Sequence, residues 1–580
     1  MPAETSESTP LLKRFLHRRT PLNNLSILIV AAAVGACAAL AATGLNLSLE
    51  YLGNLRVSYT DSWWMLFLPA IGATLAVVLS RRIFHESGAH GVGEIIASVG
   101  LKKGVVKPIA MISALVTCLL TISSGGSAGP EAPVVVSGSS MGSNLARLFR
   151  MSGQSRMTLV GCGAAGSISA IFNAPVTGMI FAVEIILGEW TPYNLVPIAI
   201  SSVVATEVAR ILTGNVIPFG ETLPHMGIVD LQTSVLLALG ASIISVFFVR
   251  SIRLSGSLAT KITSRPWLRA CLGGLAVGII GLWFPDALGE GYSSIRHAIT
   301  GSFQPGIALM VVMLISRIAT TSFTLGSGGP GGIFAPCLVI GSLFGVTFHR
   351  MVQPFMSADI SGEGSYALLG MAGIVSGVMQ APLTSTFLVL EITNDYHAVI
   401  HVMIAAFLSS TLTHIFEPTS FYFKDLVEKG MLIRPKTDAR ILTDINPQDL
   451  IRSDLVTSEP DMSVQTFIKL LQSSYQTHIP IIEKDTGAFK GMVDVIAARA
   501  SILNPDRSEN YISEIALDQN APQITMNMGA AEIIEIMEKS DRNTLPVVEN
   551  GKFKGIITKG DILNAYRKEL KMASQQDHLF

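Results

Sequence analysis

Over its first 430 residues the chain alternates long apolar runs with short glycine-rich polar breaks. The runs predict helices at about 25–56, 62–81, 107–123, 176–188, 194–212, 231–250, 268–283, 305–318, 337–350, 383–391 and 396–414. Several are too short to cross a hydrocarbon core of about 30 Å alone. The breaks are Gly88–Gly93, Ser123–Pro133, Gly161–Gly166 and Ser322–Pro336. Inside a bilayer, irregular backbone survives only where protein or a polar cavity surrounds it. Broken helices whose amino ends point inward are one way of holding an anion. Beyond residue 430 the period shortens. Val464–Leu471 predicts an amphipathic helix, and Thr477–Ile482 and Gly491–Val495 predict short strands. The pattern returns as Ala530–Met537, Thr544–Val548, Gly555–Ile557 and Asp561–Lys568. Two small α/β modules are expected, separated by the polar stretch 502–521, with 571–580 as a frayed end.

A second periodicity is longer. Asn173-Ala174-Pro175-Val176-Thr177 leads to Glu184, and Gln380-Ala381-Pro382-Leu383-Thr384 leads to Glu391, each acid nine residues after its proline. Pro133 precedes Pro175 by 42 residues and Pro336 precedes Pro382 by 46. Two related halves with matched short segments point to a site at their interface. Whether the halves are inverted is not readable from this pattern. The matched places of Glu184 and Glu391 favour a structural helix-end role over a functional one.

Composition sharpens this division. Of 580 residues 49% are apolar and 14% charged, against about 25% charged in soluble domains. Residues 431–580 hold 17 Lys/Arg and 21 Asp/Glu, nearly half of all the charges in about a quarter of the chain. A net charge of −1 argues against a broadly basic nucleic-acid surface. The five cysteines (Cys37, Cys118, Cys162, Cys271, Cys337) have neither metal-site spacing nor a disulfide pattern and read as buried small hydrophobes. Lys13, Arg14, Arg18 and Arg19 precede an apolar run too long for a signal-peptide core. That run reads as a retained first helix, with the amino terminus in the cytoplasm.

The strongest local signal is Gly125-Gly126-Ser127-Ala128-Gly129-Pro130-Glu131-Ala132-Pro133. Glu131 stands at a helix start, where exposed amides favour a carboxylate and would equally favour a dissolved anion. It is therefore a candidate gate that occupies an anion site and leaves when protonated; an ordinary helix amino end is the plainer alternative. The counterpart is Gly326-Ser327-Gly328-Gly329-Pro330-Gly331-Gly332-Ile333-Phe334-Ala335-Pro336, where amides around Ile333 and Phe334 would complete an anion cradle, or Phe334 would simply pack. In Ala89-His90-Gly91-Val92-Gly93-Glu94 the imidazole of His90 would donate to an anion, cap a helix or face solvent. No glycine loop has the strand–Gly-x-Gly-x-x-Gly–helix context or ends in Gly-Lys-Ser/Thr, and no Ser/His/Asp set is assembled, so an enzyme is not expected.

This ordered set of segments resembles the CLC family of chloride channels and proton-coupled anion exchangers, with a C-terminal cytoplasmic CBS-domain pair. The resemblance covers roughly residues 25–430 and 450–570. The family's Gly-(Arg or Lys)-Glu-Gly-Pro segment falls on Gly129–Pro133, and its Gly-x-Phe-x-Pro segment on Gly332, Phe334 and Pro336. The Asn-Ala-Pro segment at 173–175 and the Ala-Pro-Leu-Thr…Leu-Glu segment at 381–391 also match. The resemblance implies a polytopic all-α membrane protein with an inverted-repeat broken-helix fold, plus a small cytoplasmic α/β CBS tandem. The implied layout is 1–24 as a cytoplasmic segment, 25–430 as the transport domain (halves about 25–212 and 231–430), and 431–448 as a linker. The CBS motifs would span 449–505 and 515–570, with 571–580 as a tail.

Its implied activity is voltage- or proton-dependent transport of chloride or a similar small monovalent anion, gated by Glu131, as an exchanger or a channel. His90, Ile333, Phe334 and Tyr422 are implied anion ligands, with Gly129, Ala132 and Gly332 as backbone cradle. The implied setting is a homodimer in the plasma (inner) membrane with both termini cytoplasmic, no required cofactor and no nucleic-acid partner.

Four departures qualify this. Pro130 replaces the basic residue before the gating glutamate, which removes a charge and an N–H. Ala132 replaces a glycine. His90 replaces the family's inner serine, which leaves fluoride or nitrate open as the anion. Ile185 stands where the family's coupled exchangers carry an internal proton-transfer glutamate, which leaves a passive channel open. In the tail, Gly555-Ile556-Ile557-Thr558-Lys559-Gly560-Asp561 looks like the CBS signature for adenine nucleotides, so Thr558 and Asp561 would hold a ribose. The equivalent Gly491–Ala497 lacks both groups. One nucleotide at most is expected, a purely structural tail is the alternative, and a membrane-anchored nucleotide sensor is the remote one.

Overall fold

Prolines open many of the helices and glycines close several, as a missing N–H and a tolerance of positive φ favour. The computed structural model describes residues 21–57, 63–85, 91–215, 219, 226–300, 305–356, 360–394, 396–428, 442, 445–515 and 517–576. The chain divides into two units, Met1–Leu432 and Ile433–Phe580. Helices of the first half are α1 (Pro21–Val57), α2 (Leu68–Arg82), α3 (Val92–Leu101), α4 (Ala110–Ser123), α5 (Glu131–Leu148), α6 (Gly153–Phe172), α7 (Pro175–Phe181) and α8 (Pro192–Thr213). A π-helical turn, Ala182–Leu187, continues α7. The second half holds α9 (Ile228–Ile262), α10 (Pro266–Trp283), α11 (Tyr292–Ile299), α12 (Ile307–Gly326), α13 (Phe334–Val352), α14 (Glu363–Met379), α15 (Pro382–Thr393), α16 (Val399–Phe416) and α17 (Phe421–Glu428). Among the described residues, 8 helical stretches are long and apolar enough to cross a membrane. Their outer faces carry exposed apolar side chains such as Leu40, Leu75, Ile243 and Leu254, as a lipid-facing surface requires.

The two halves repeat each other in packing. α4 to α8 pack on one another in the order in which α12 to α16 do, and α1 covers α6 and α8 as α9 covers α14 and α16. The halves meet where α7 packs on α15. There Glu184 accepts hydrogen bonds from Leu383 N (3.2 Å), Thr384 N (2.7 Å) and Thr384 Oγ1 (2.6 Å) at the start of α15. Glu391 accepts from Val176 N (3.0 Å), Thr177 N (2.7 Å) and Thr177 Oγ1 (2.6 Å) at the start of α7. Each acid, at the far end of its own helix, thus caps the amino end of the other. That exchange requires α7 and α15 to run antiparallel, so the repeats are inverted.

Apolar patterning alone missed α3, α5, α6, α11, α14 and α17. The expected break Gly161–Gly166 lies in the middle of α6. Glycine here allows close approach instead of breaking the helix. A Cβ on Gly163 would stand 2.0 Å from the carbonyl oxygen of Gly138 in α5, and one on Gly138 would stand 2.4 Å from that of Gly163. Membrane helices associate through such small residues because lipid supplies little hydrophobic drive between them. In the break at Ser322–Pro336, α12 continues to Gly326 before the chain turns.

The second unit contains α18 (Val464–Gln472), β1 (His478–Ile482), β2 (Phe489–Asp494), α19 (Arg499–Ile502), α20 (Ile512–Ile515), α21 (Ala530–Lys539), β3 (Thr544–Glu549), β4 (Lys552–Thr558) and α22 (Lys559–Gln576). β1 pairs antiparallel with β2, and β3 with β4. Both hairpins carry an irregularity, at Ile481/Ile482 and at Val547/Val548. The two α/β modules exchange short pairings. Arg452, leading into the first, bridges Ile556 of the second hairpin, and Asp518, leading into the second, bridges Met492 of the first. The separating stretch is not all surface: Ile512 is buried in the first module's core. The end expected to fray from 571 instead continues α22 to Gln576.

Candidate functional site

The site is built from helix amino ends. α3 packs on α5 and on α17, and α5 packs on α13. The turns leading into α5 and α13 have one design. Gly125 (φ +106°) and Gly328 (φ +96°) take positive φ just after α4 and α12. Their neighbours Gly126 and Gly329 donate back to Thr121 O and Thr324 O, both at 2.9 Å. These bonds end each preceding helix and turn the chain toward the next. The two loops then join. Gly129 N donates to Gly332 O at 2.8 Å, and Gly332 N donates to Gly129 O at 2.7 Å.

This pairing alters the expected cradle. The amides of Gly129 and Gly332 are engaged with each other, so these residues contribute space instead of donors. A Cβ on Gly129 would stand 2.0 Å from Glu131 Oε2, and one on Gly332 would stand 3.1 Å from it. The Glu131 side chain fills the room that both glycines leave. Free donors at a helix start are its first amides. At α5 these belong to Glu131 and Ala132, since Pro133 has no N–H; at α13 they belong to Phe334 and Ala335, since Pro336 has none.

Glu131 is 1% exposed. Its Oε1 accepts a hydrogen bond from Tyr292 Oη at 2.9 Å. Its Oε2 is buried without a hydrogen-bond partner, within the electrostatic reach of the Ala335 amide. Tyr292, at the start of α11, is the functional neighbour that sequence reasoning missed. It lies 161 residues from Glu131, and nothing in its local pattern marks it.

The other expected residues fall as follows. Ile333 and Phe334 are both 1% exposed. The ring of Phe334 packs on Phe172 and Phe181, with centroids 5.8 and 6.0 Å away, so its approach to an anion is through its backbone. Tyr422 is buried in α17, with its carbonyl oxygen 3.0 Å from where a Cβ on Gly93 of α3 would stand. His90 lies outside the described residues. Ile185 is buried in the π-helical turn beside Glu184, whose two oxygens are both engaged in capping α15. Among the described residues no cluster of His, Cys, Asp and Glu is suited to a metal ion.

In the second unit, Thr558 and Asp561 are brought together. Asp561 Oδ2 accepts from Thr558 Oγ1 at 2.6 Å, and Asp561 N donates to Thr558 Oγ1 at 3.1 Å, a reciprocal cap at the start of α22. Asp561 Oδ1 accepts from Arg452 Nε at 3.1 Å and also from Nη2. Partial burial pushes the Asp561 carboxyl up, but the bonds from Arg452 and Thr558 outweigh it and hold the group below its usual range.

Residues 72–414 match the family described as voltage gated chloride channel, and residues 512–568 match the CBS domain. The H(+)/Cl(-) exchange transporter ClcA of Klebsiella pneumoniae is 30% identical over 426 residues, covering 69% of this chain and 88% of that protein. A slow cyanobacterial Cl−/H+ antiporter has a similar fold, with TM-score 0.64 at 20% identity over 70% of this chain and 98% of its own. A eukaryotic CLC transporter aligns with TM-score 0.61 at 16% identity, over 93% of this chain and 98% of its own. The inverted halves, the paired glycine loops and a family match covering more than half of the chain place it in one group: it belongs to the voltage-gated chloride channel family, with a small α/β CBS tandem after the membrane body.

Proposed function

We propose that this protein exchanges chloride for protons across a membrane, and that Glu131 both closes the anion path and carries the proton. The observation that carries this reading is the Glu131 carboxylate lying over the amino ends of α5 and α13, where a free anion would be attracted. Ionised, it acts as a tethered anion and blocks the path. Protonated, it loses its attraction to the amides, and chloride takes its place. Ile333 and Phe334 would contribute through the backbone, as would Ala132, while Gly129 and Gly332 keep the space open. Tyr422 and His90 would hold the inner end of the path.

Glu184 would lose its bonds to α15 if it carried the proton, and Ile185 has no group to carry one. The inner limb of the proton route therefore needs water. The apolar Ile185 also favours a second reading, a passive channel. Purified protein in liposomes under crossed chloride and proton gradients separates the two by reversal potential. Glu131→Ala should abolish chloride-driven proton uptake and leave chloride flux; coupled uptake that persists in this variant would end the assignment. His90→Ser should change selectivity among halides and nitrate.

The same reading places the protein in the plasma membrane as a homodimer, with its basic amino terminus and CBS tail in the cytoplasm, so that α1 delivers Arg56 to the outer face. The domain limits expected from sequence (25–430 for transport, 449–505 and 515–570 for the CBS motifs) are retained with it. An adenine nucleotide at Thr558 and Asp561 would have to displace Arg452. Calorimetry with ATP, ADP and AMP tests this: heat that persists in a Thr558→Ala, Asp561→Ala double variant, or no heat at all, removes the site.

A further inference from the structure

Beside the gate lies a second, partly buried acid, Glu290, that the exchange mechanism above does not use. The turn from Ala287 to Tyr292 joins α10 to α11 and gathers charged groups from three other helices. Arg317 of α12, 1% exposed, donates from Nη1 to Ala287 O at 3.1 Å and from Nη2 to Glu290 O. Arg56, near the end of α1, lies against the same turn, its Nη2 3.2 Å from where a Cβ on Gly289 would stand. Tyr292, two residues past Glu290, is the residue that donates to Glu131. Four atoms here are buried without a hydrogen-bond partner: Arg56 Nη1, Glu131 Oε2, Glu290 Oε1 and Arg317 Nε. Buried charged atoms left unpaired are costly, and in a membrane protein such groups mark ion and proton paths. Arg317 also borders a cavity of about 10 Å³, close to the room that one water needs.

We propose that Glu290 is a second proton-accepting group on the outer side of the pathway, facing Arg56 and sharing the Arg317 cation with Glu131, so that the gate answers to two protonations. This rests on the gating role of Glu131. The charged and titratable groups facing Glu290 are Glu50 and Arg56 from α1, Cys118 from α4, Glu131 from α5, Tyr292 from α11 and Arg317 from α12. With both acids ionised the two arginines are balanced and the gate is closed. A proton on Glu290 leaves one cation unbalanced, which draws an anion inward; a proton on Glu131 then vacates the cradle. Arg56 and Arg317 thereby supply the positive charge that Pro130 removed from the gating segment.

The test is chloride flux from proteoliposomes against external pH, for wild type, Glu290→Gln and Glu131→Ala, with proton uptake recorded in parallel. Wild type should show a profile steeper than a single protonation. Glu290→Gln should reduce it to one protonation and move its midpoint to the alkaline side, because the neutral amide stands permanently in place of the first of the two protonations. A Glu290→Gln profile identical to wild type overturns the inference, and so does a wild-type profile that fits one protonation, which needs no variant at all. Coupled proton uptake that survives in Glu131→Ala is the distinct result that overturns the gate itself.

Discussion

Replacing Tyr292 with Phe removes one hydroxyl group and should open the gate at a higher pH. The hydroxyl donates to Glu131 Oε1 at 2.9 Å, a bond that a displaced carboxylate would lose. The ring stays, and with it the packing on Phe219 at a centroid distance of 5.9 Å, so the substitution keeps the shape of the site. A hydrogen bond to an ionised group is worth about 1.5–3 kcal/mol. The donor favours the charged form over the neutral one, and one pH unit corresponds to about 1.36 kcal/mol of such difference. The midpoint of proton-activated chloride flux should therefore move about one to two pH units to the alkaline side. Glu290→Gln shifts the midpoint the same way but also makes the profile shallower, so the slope separates the two variants although both residues sit in the same turn. The assay is chloride efflux from liposomes as external pH is stepped, with protein recovery and monodispersity checked beside it. A midpoint that stays in place, or moves to the acid side, would show that the hydroxyl does not hold the carboxylate in the closed position.

Gly129→Ala should drive Glu131 from its seat, because the new methyl would stand 2.0 Å from Oε2; chloride flux should then lose most of its pH dependence, read in the same efflux assay. Glu184→Ala and Glu391→Ala should each lower the melting point in detergent by a similar amount, since each leaves two backbone amides and a hydroxyl without their acceptor, at about 1–3 kcal/mol per unsatisfied group; a loss confined to one of them would break the symmetry argument. In the tail, the lowered Asp561 pKa contributes stability that is fully present above the unfolded value, about 3.9, and is lost as pH falls through the folded one. Acid unfolding of residues 433–580, followed by circular dichroism, should shift to higher pH on Arg452→Gln and lose this component on Asp561→Asn.

The local chemistry of the site was legible in the sequence. Proline and glycine signals located the starts of α5 and α13, and a carboxylate at the first of these has the same physical meaning whatever surrounds it. The matched Pro-to-Glu spacings exposed the repeat, and periodicity located the strands and helices of the tail closely. Failures came where burial removed the contrast that patterning depends on. α5, α6 and α14 are rich in glycine and serine and enclosed by protein, so they have no apolar face to announce them, and Gly161–Gly166 resembles a break until the closeness of α5 is known. The other matters were decided by contacts between distant residues, which no local pattern carries. The inversion of the halves follows from Glu184 and Glu391 capping each other's helices, 199 to 215 residues away. The cradle glycines donate to each other across the two halves. Tyr292 and Glu290 come from one turn, Arg317 from α12 and Arg56 from α1, three separate segments gathered beside Glu131, and electrostatic energy there depends on distance and burial, which only the folded chain sets.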